Sequence, residues 1–192
     1  MMPLFALLFL GTLVFGPPSE ALLRIHPQSQ VILTPVTHEG QIRTIRQQYN
    51  SINKQLRTYR KVKKELSGFS VEGGELTAYL SRQEIVKIVA NHYGEGGQTM
   101  EDYYFKDGKL IFVFERITHY DAPLSGKVVS ASENRYYFHN DQLIRWIDEN
   151  TRMATDVDGI ESKRKEYLAN SKIFTEGVRS RARTIEASAA FH

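Results

Sequence analysis

One phrase occurs twice in this chain and narrows what the chain can fold into. Tyr103-Tyr104-Phe105-Lys106-Asp107-Gly108-Lys109-Leu110-Ile111 returns thirty-three residues later as Tyr136-Tyr137-Phe138-His139-Asn140-Asp141-Gln142-Leu143-Ile144. Each copy joins an aromatic run to an aliphatic one through a short polar break. Asp107-Gly108 tolerates the positive φ angles that a type I′ turn requires at both central positions, so it reads as a two-residue β-hairpin. Asn140-Asp141 does the same less comfortably. A fainter copy, Ala78-Tyr79-Leu80-Ser81-Arg82-Gln83-Glu84-Ile85-Val86, keeps the order without a turn glycine. Three consecutive hairpins imply one antiparallel meander.

Two amphipathic segments flank the hairpins. Ile42, Ile45, Tyr49, Ile52, Leu56, Tyr59, Val62 and Leu66 recur three or four residues apart, which predicts one long helix, capped at Thr37 and stopped at Gly68. Burying such side chains yields ~1.5–3 kcal/mol each, enough to hold the helix on a sheet. After the hairpins, Val157, Ile160, Tyr167, Phe174, Val178 and Ile185 suggest a second helix with Asp156 or Asp158 as its cap. The expected fold is therefore α+β. It is a meander of about six antiparallel strands packed against a long N-terminal helix and joined by a C-terminal one.

Strict alternation assigns the hairpin residues to two faces. Leu80, Ile85, Val89, Tyr103, Phe105, Leu110, Phe112, Phe114, Tyr136, Phe138, Leu143 and Ile147 form the greasier set, expected beneath the helices. Tyr79, Val86, Ile88, Ala90, His92, Tyr104, Ile111, Val113, Tyr137, His139, Ile144 and Trp146 form the other, too apolar for a simply solvated face. Something covers it or binds it.

The N-terminus has a different character. Leu4 to Gly16 is almost wholly apolar, shorter than the ~20 residues a membrane span takes. With small residues at Ser19 and Ala21, it matches a secretory signal cut before Leu22; a short buried helix or an uncleaved anchor is the alternative. The expected organisation is a signal over 1–21, an irregular leader over 22–36, one domain over 37–185 and a frayed tail over 186–192. The chain has no cysteine, which excludes disulfides, thiolate metal sites, a cysteine nucleophile and lipobox acylation.

Chemistry-bearing motifs are sparse. Six histidines are scattered, with no His-x-His or His-Glu-x-x-His spacing, so neither metal nor cofactor is expected. Gly94-Glu95-Gly96-Gly97 lacks the Gly-Lys-Ser/Thr ending of a phosphate loop and reads as a turn. Glu101, Asp102, Glu115 and Glu133 lie on predicted strands where two carboxylates can approach, as glycoside hydrolysis requires; cross-strand ion pairs with Lys109, Arg116, Arg135 or Arg145 are the plainer outcome. Tyr104, Tyr137 and Trp146, with Tyr79 and His92 nearby, are the candidate partner-binding surface, since such rings offer large area with few rotatable bonds. The alternative is that the C-terminal helix covers them. Arg57, Arg60, Lys61, Lys63 and Lys64, on the polar faces of the predicted first helix, are the candidate polyanion-binding set, or else a solvated face.

Leu66-Ser67-Gly68-Phe69-Ser70, Glu72-Gly73-Gly74, the Tyr-Tyr-Phe hairpins and Leu143-Ile144-Arg145-Trp146 together resemble a group of uncharacterised exported bacterial proteins. The likeness spans about Gln41 to Asn150, and it implies an envelope or secreted location with no assigned activity. The Tyr-Tyr-Phe-x-Asp-Gly-x-Leu unit is also similar to MORN-type hairpin repeats, though its period is irregular and its glycines few. The functional expectation is a non-enzymatic exported protein that binds an envelope protein or an anionic surface polymer. A hydrolase or metal-dependent enzyme using strand-end His and Glu residues is the alternative, and a single-strand nucleic-acid binder is a further one.

Overall fold

In the computed structural model, Asp107 and Gly108 take φ angles of 53° and 75°, and Asn140 and Asp141 take 48° and 60°. Both breaks thus adopt the left-handed backbone that a two-residue hairpin turn needs. The structure describes residues 38–150 and 152–187. The expected signal, leader, Thr37 cap and residues 188–192 of the tail lie outside the described residues.

The elements run α1 (Glu39–Lys54), β1 (Arg60–Ser67), β2 (Gly74–Ser81), β3 (Glu84–Gly94), β4 (Gly97–Lys106), β5 (Lys109–Tyr120), β6 (Val128–His139), β7 (Gln142–Ile147), α2 (Val157–Arg179) and β8 (Thr184–Glu186). They build one sheet of 8 strands in the order β7-β6-β5-β4-β3-β2-β1-β8. Strands β1 to β7 pair antiparallel with their neighbours in sequence, while β8 pairs parallel with β1, so the sheet is mixed.

This corrects the expected six-strand meander at both ends. The long N-terminal helix stops at Lys54, where Thr58 closes a turn on the Gln55 carbonyl. Arg60–Ser67 is strand rather than helix. Val62 and Leu66 fit a helical stripe, yet they also share one strand face with Lys64 between them. Pairing with β2 satisfies that backbone over seven register positions. At the other end, Glu65 and Ala187 donate backbone hydrogen bonds to Arg183 and Ser67, so Ile185, expected on the second helix, lies instead in strand β8, which takes in the first residue of the expected tail.

The hairpins of the three repeat copies carry the same irregularity. The register slips by one residue between Tyr79 and Leu80, between Tyr104 and Phe105, and between Tyr137 and Phe138. Val86, Ile111 and Ile144 are the extra residues, at equivalent places in the three copies. A bulge inverts the alternation beyond it. Ile88, Ala90, Val113 and Trp146 therefore join the α2-side core, while Phe112, Phe114 and Ile147 join the α1-side core, the reverse of the expected faces.

Both faces are roofed, by one helix each. Ile42, Ile45 and Ile52 of α1 pack on Tyr104, Phe112 and Tyr137. Tyr167, Phe174 and Val178 of α2 pack on Tyr103, Val113, Tyr136 and Phe138. Asp156 caps α2 by accepting from the Gly159 amide at 3.0 Å. Lys64 of β1 donates to the Ser180 carbonyl, just past the helix end, at 3.0 Å. Gly177 has its own reason to be in the helix: a Cβ there would sit 2.5 Å from Ile185 Cδ1 of β8. No described helix is long and apolar enough to cross a membrane.

Candidate functional site

The register of the sheet places three polar residues side by side on the α2 face. Glu101 of β4 lies directly opposite Glu115 of β5, which lies directly opposite Asn134 of β6. The neighbouring row on one side is Tyr103, Val113, Tyr136 and Trp146; on the other it is His92, Thr99, Ile117 and Ser132. Glu101 and Glu115 are only 5% and 4% exposed. Two carboxylates directly opposed across a ladder repel, and burial sharpens the cost, so each must be satisfied by donors.

Glu115 is saturated. Its Oε2 accepts from Asn134 Nδ2 at 2.8 Å and from the Tyr136 hydroxyl at 3.1 Å. Its Oε1 accepts from the Tyr167 hydroxyl at 2.9 Å and lies 3.7 Å from Lys163 Nζ. Trp146 Nε1 donates to Asn134 Oδ1 at 3.1 Å, which turns the Asn134 amide nitrogen toward the carboxylate. Glu101 is less committed. Its Oε2 accepts from the Tyr103 hydroxyl at 2.6 Å and sits 3.3 Å from His92 Nε2. Its Oε1 accepts no hydrogen bond among the described residues.

The electrostatics keep these roles fixed. Burial, reinforced by Glu101 and Glu115, pushes the Tyr103 and Tyr167 hydroxyls well above the ordinary tyrosine range, and Tyr136 rises for the same reasons. They remain proton donors. Burial pulls Lys163 down, but Glu115 and Glu166 outweigh it and hold the amine charged. Burial raises Glu166 against the pull of Lys163, 3.1 Å away.

A cleft of about 780 Å³ opens beside this row. Glu95, Glu101, Glu115 and Glu166 line it with His92 and His119, and Phe69 and Tyr93 contribute to the wall. No lysine or arginine is among the lining residues. Lys163 acts on Glu115 and Glu166 without lining the cleft. Among the described residues, no group of three or more His, Asp or Glu is arranged to hold a metal ion.

The expected partner surface is not assembled. Tyr104 and Tyr137 are 1% and 4% exposed beneath α1, because the hydroxyl of Tyr104 reaches Asn53 of that helix at 3.1 Å and Ile42, Ile45 and Ile52 fill the space above the rings. Trp146 lies on the opposite face, beyond the bulge. Tyr79 is half-buried with Lys61 Nζ 5.5 Å over its ring, and His92 lines the acidic cleft. The expected polyanion stripe is dispersed too. Arg57 sits in a turn, and strand alternation sends Lys61 and Lys63 to one face and Arg60 and Lys64 to the other. Of the four strand carboxylates, Asp102 pairs with Lys87 at 2.7 Å and Glu133 with Arg116 and Arg135, which leaves Glu101 and Glu115. Tyr103, Asn134, Tyr136, Lys163, Glu166 and Tyr167 were not among the sequence candidates. The repeat held a clue, since Glu101-x-Tyr103 and Asn134-x-Tyr136 occupy equivalent places in the second and third copies.

Comparison with family models, with curated proteins and with solved structures found no match.

The raised tyrosines make a pH prediction. A group whose folded-state pKa exceeds its unfolded value of 10.0 contributes stability below that pH and loses it as the pH rises further. Tyr103, Tyr104, Tyr136 and Tyr167 should therefore stay protonated while surface tyrosines ionise. They should then titrate together as the sheet unfolds. Phenolate absorbance followed alongside circular dichroism should show two phases, the second coincident with loss of β signal. A single phase near the ordinary pKa with the fold intact would contradict the burial of these four rings.

Proposed function

We propose that this is a non-enzymatic binding domain of an exported protein, and that the α2-side cleft receives a cationic group, the lysine or arginine side chain of a partner protein. The observation that carries the reading is the Glu101 carboxylate: buried on the cleft floor, opposed by a second carboxylate, with one oxygen uncommitted. A cation placed there would relieve the repulsion between Glu101 and Glu115 and gain a charge-assisted hydrogen bond. Phe69 and Tyr93 supply apolar and aromatic surface for the stem of such a side chain. Saturation of Glu115 by three hydrogen bonds and the Lys163 ion pair supports binding over catalysis, because a carboxylate so held is a poor base or nucleophile. The apolar run Leu4 to Gly16 with its small-residue exit supports export.

The test is calorimetric titration with a short lysine-containing peptide. Glu101→Gln keeps the shape and the Tyr103 contact but removes the charge, and should weaken binding by about 10–100-fold, the worth of a hydrogen bond to a charged group. Unchanged affinity would overturn the reading.

One observation favours a hydrolase as the second reading. Directly opposed strand residues place their Cβ atoms about 4.5–5.5 Å apart, compatible with the carboxyl separation of retaining glycoside hydrolases. Turnover of an aryl glycoside that vanishes in both Glu101→Gln and Glu115→Gln would establish it in place of the binding role.

A further inference from the structure

The α1 side of the sheet carries a second site of opposite charge. Beyond the edge of α1, Phe114 of β5 lies directly opposite Arg135 of β6, and Arg116 lies directly opposite Glu133. Arg46 reaches down from the helix. With Asn50, Tyr49 and an apolar floor of Ile45, Phe112 and Phe114, these residues line a pocket of about 510 Å³, within the usual range for small-molecule sites.

The charges here are unbalanced. Three guanidiniums face one carboxylate, and the other acids nearby are committed elsewhere: Glu39 to Arg145 and Asp102 to Lys87. Arg116 spends Nε and one terminal nitrogen on Glu133 Oε1, at 3.1 and 2.5 Å; Arg135 spends one terminal nitrogen on Oε2, at 2.8 Å. Arg46 makes only a 3.5 Å contact to the Tyr137 hydroxyl. Each guanidinium has five N–H donors, so most of the donor capacity of the cluster is unspent. Stability does not explain the cluster. Its ion pairs are a third to a half exposed, and such pairs contribute ~0–1 kcal/mol. The guanidiniums are nevertheless held in place, those of Arg116 and Arg135 at 5.9 and 5.4 Å from the Phe114 ring and that of Arg46 at 5.7 Å from Tyr137.

We propose that this pocket binds an anionic group, a phosphate or carboxylate, carried on a flat apolar body. The planar forks of Arg46, Arg116 and Arg135 suit the oxygens of such a group, and Phe112 and Phe114 take the apolar part. Glu133 occupies the anion position in the free protein and is its internal competitor. The Arg116 and Arg135 guanidiniums hold its carboxyl below the usual range, so it is present as the anion.

The test is titration of the whole chain with phenyl phosphate, read from the arginine Nε–H resonances by NMR. Benzyl alcohol and inorganic phosphate are the controls for each half of the ligand. Saturable binding of phenyl phosphate is expected, with inorganic phosphate at least about tenfold weaker and benzyl alcohol inert. Arg116→Gln and Arg135→Gln should each weaken binding about tenfold while leaving the melting temperature nearly unchanged. Glu133→Gln should tighten it, since the competitor is gone. No saturable shift at these resonances, equal affinity for benzyl alcohol, or weaker binding in Glu133→Gln would each overturn the proposal. None of these outcomes bears on the acidic cleft, which lies on the other face.

Discussion

Replacing Tyr167 by alanine is expected to destabilise the fold by about 3–5 kcal/mol, and replacing it by phenylalanine by about 1–3 kcal/mol. The two values separate what the ring does from what the hydroxyl does. The ring is fully buried and is the part of α2 on which Tyr136, Tyr103 and Phe138 converge, at centroid distances of 4.6, 5.9 and 6.4 Å. Truncation opens a cavity in the centre of the α2-side core. The hydroxyl is one of two that hold Glu115, and its loss leaves Oε1 with Lys163 alone, 3.7 Å away. Urea unfolding measures both. In a domain whose total stability is of the order of 5–15 kcal/mol, the alanine variant would be close to unfolding. A cost below about 1 kcal/mol would mean that α2 does not dock through this residue.

The second large effect is at the start of β4. A Cβ on Gly97 would lie 2.0 Å from the Thr118 carbonyl oxygen and 3.0 Å from its carbon, both main-chain atoms of the adjacent strand. A side-chain neighbour could swing away; a paired strand cannot. Gly97→Ala should force β4 and β5 apart where Gly97 faces His119, at a cost of about 3 kcal/mol or more, the upper part of the overpacking range. Gly96 beside it has open space around a Cβ, so Gly96→Ala is the matched control and should be nearly neutral. Equal stability of the two variants by thermal unfolding would contradict the strand spacing. The pair also bears on the site, because Gly97 lines the acidic cleft.

How much of this was legible beforehand depended on whether a feature leaves a chemical mark. Asp107-Gly108 and Asn140-Asp141 leave one, since few residue pairs accept two positive φ angles. The bulges leave none. Val86, Ile111 and Ile144 are apolar residues beside other apolar residues, and an extra one raises no signal in a strand buried on both faces. Missing them inverted the faces for every residue beyond. Arg60–Ser67 misled for a different reason: its apolar positions satisfy both periods, and only the edge of β2 decides between them. Strand β8 is too short to show any period. Glu101 and Glu115 were visible as acids on strands, but a carboxylate destined for burial has the same letter as one destined for solvent. What distinguishes them is the register, fourteen residues of chain folded at Asp107-Gly108 so that the two meet.

The proposed role of the cleft beside α2 as a receptor for positive charge rests on a buried, opposed pair of carboxylates. Titrating the protein with N-acetyl-lysine methylamide and with its uncharged norleucine counterpart tests it most directly, because the two differ in little but the ammonium group. The lysine compound should bind saturably, with shifts confined to His92, Thr99, Glu101 and their neighbours, and the norleucine compound should not. Equal binding of both, or binding of neither, would contradict it.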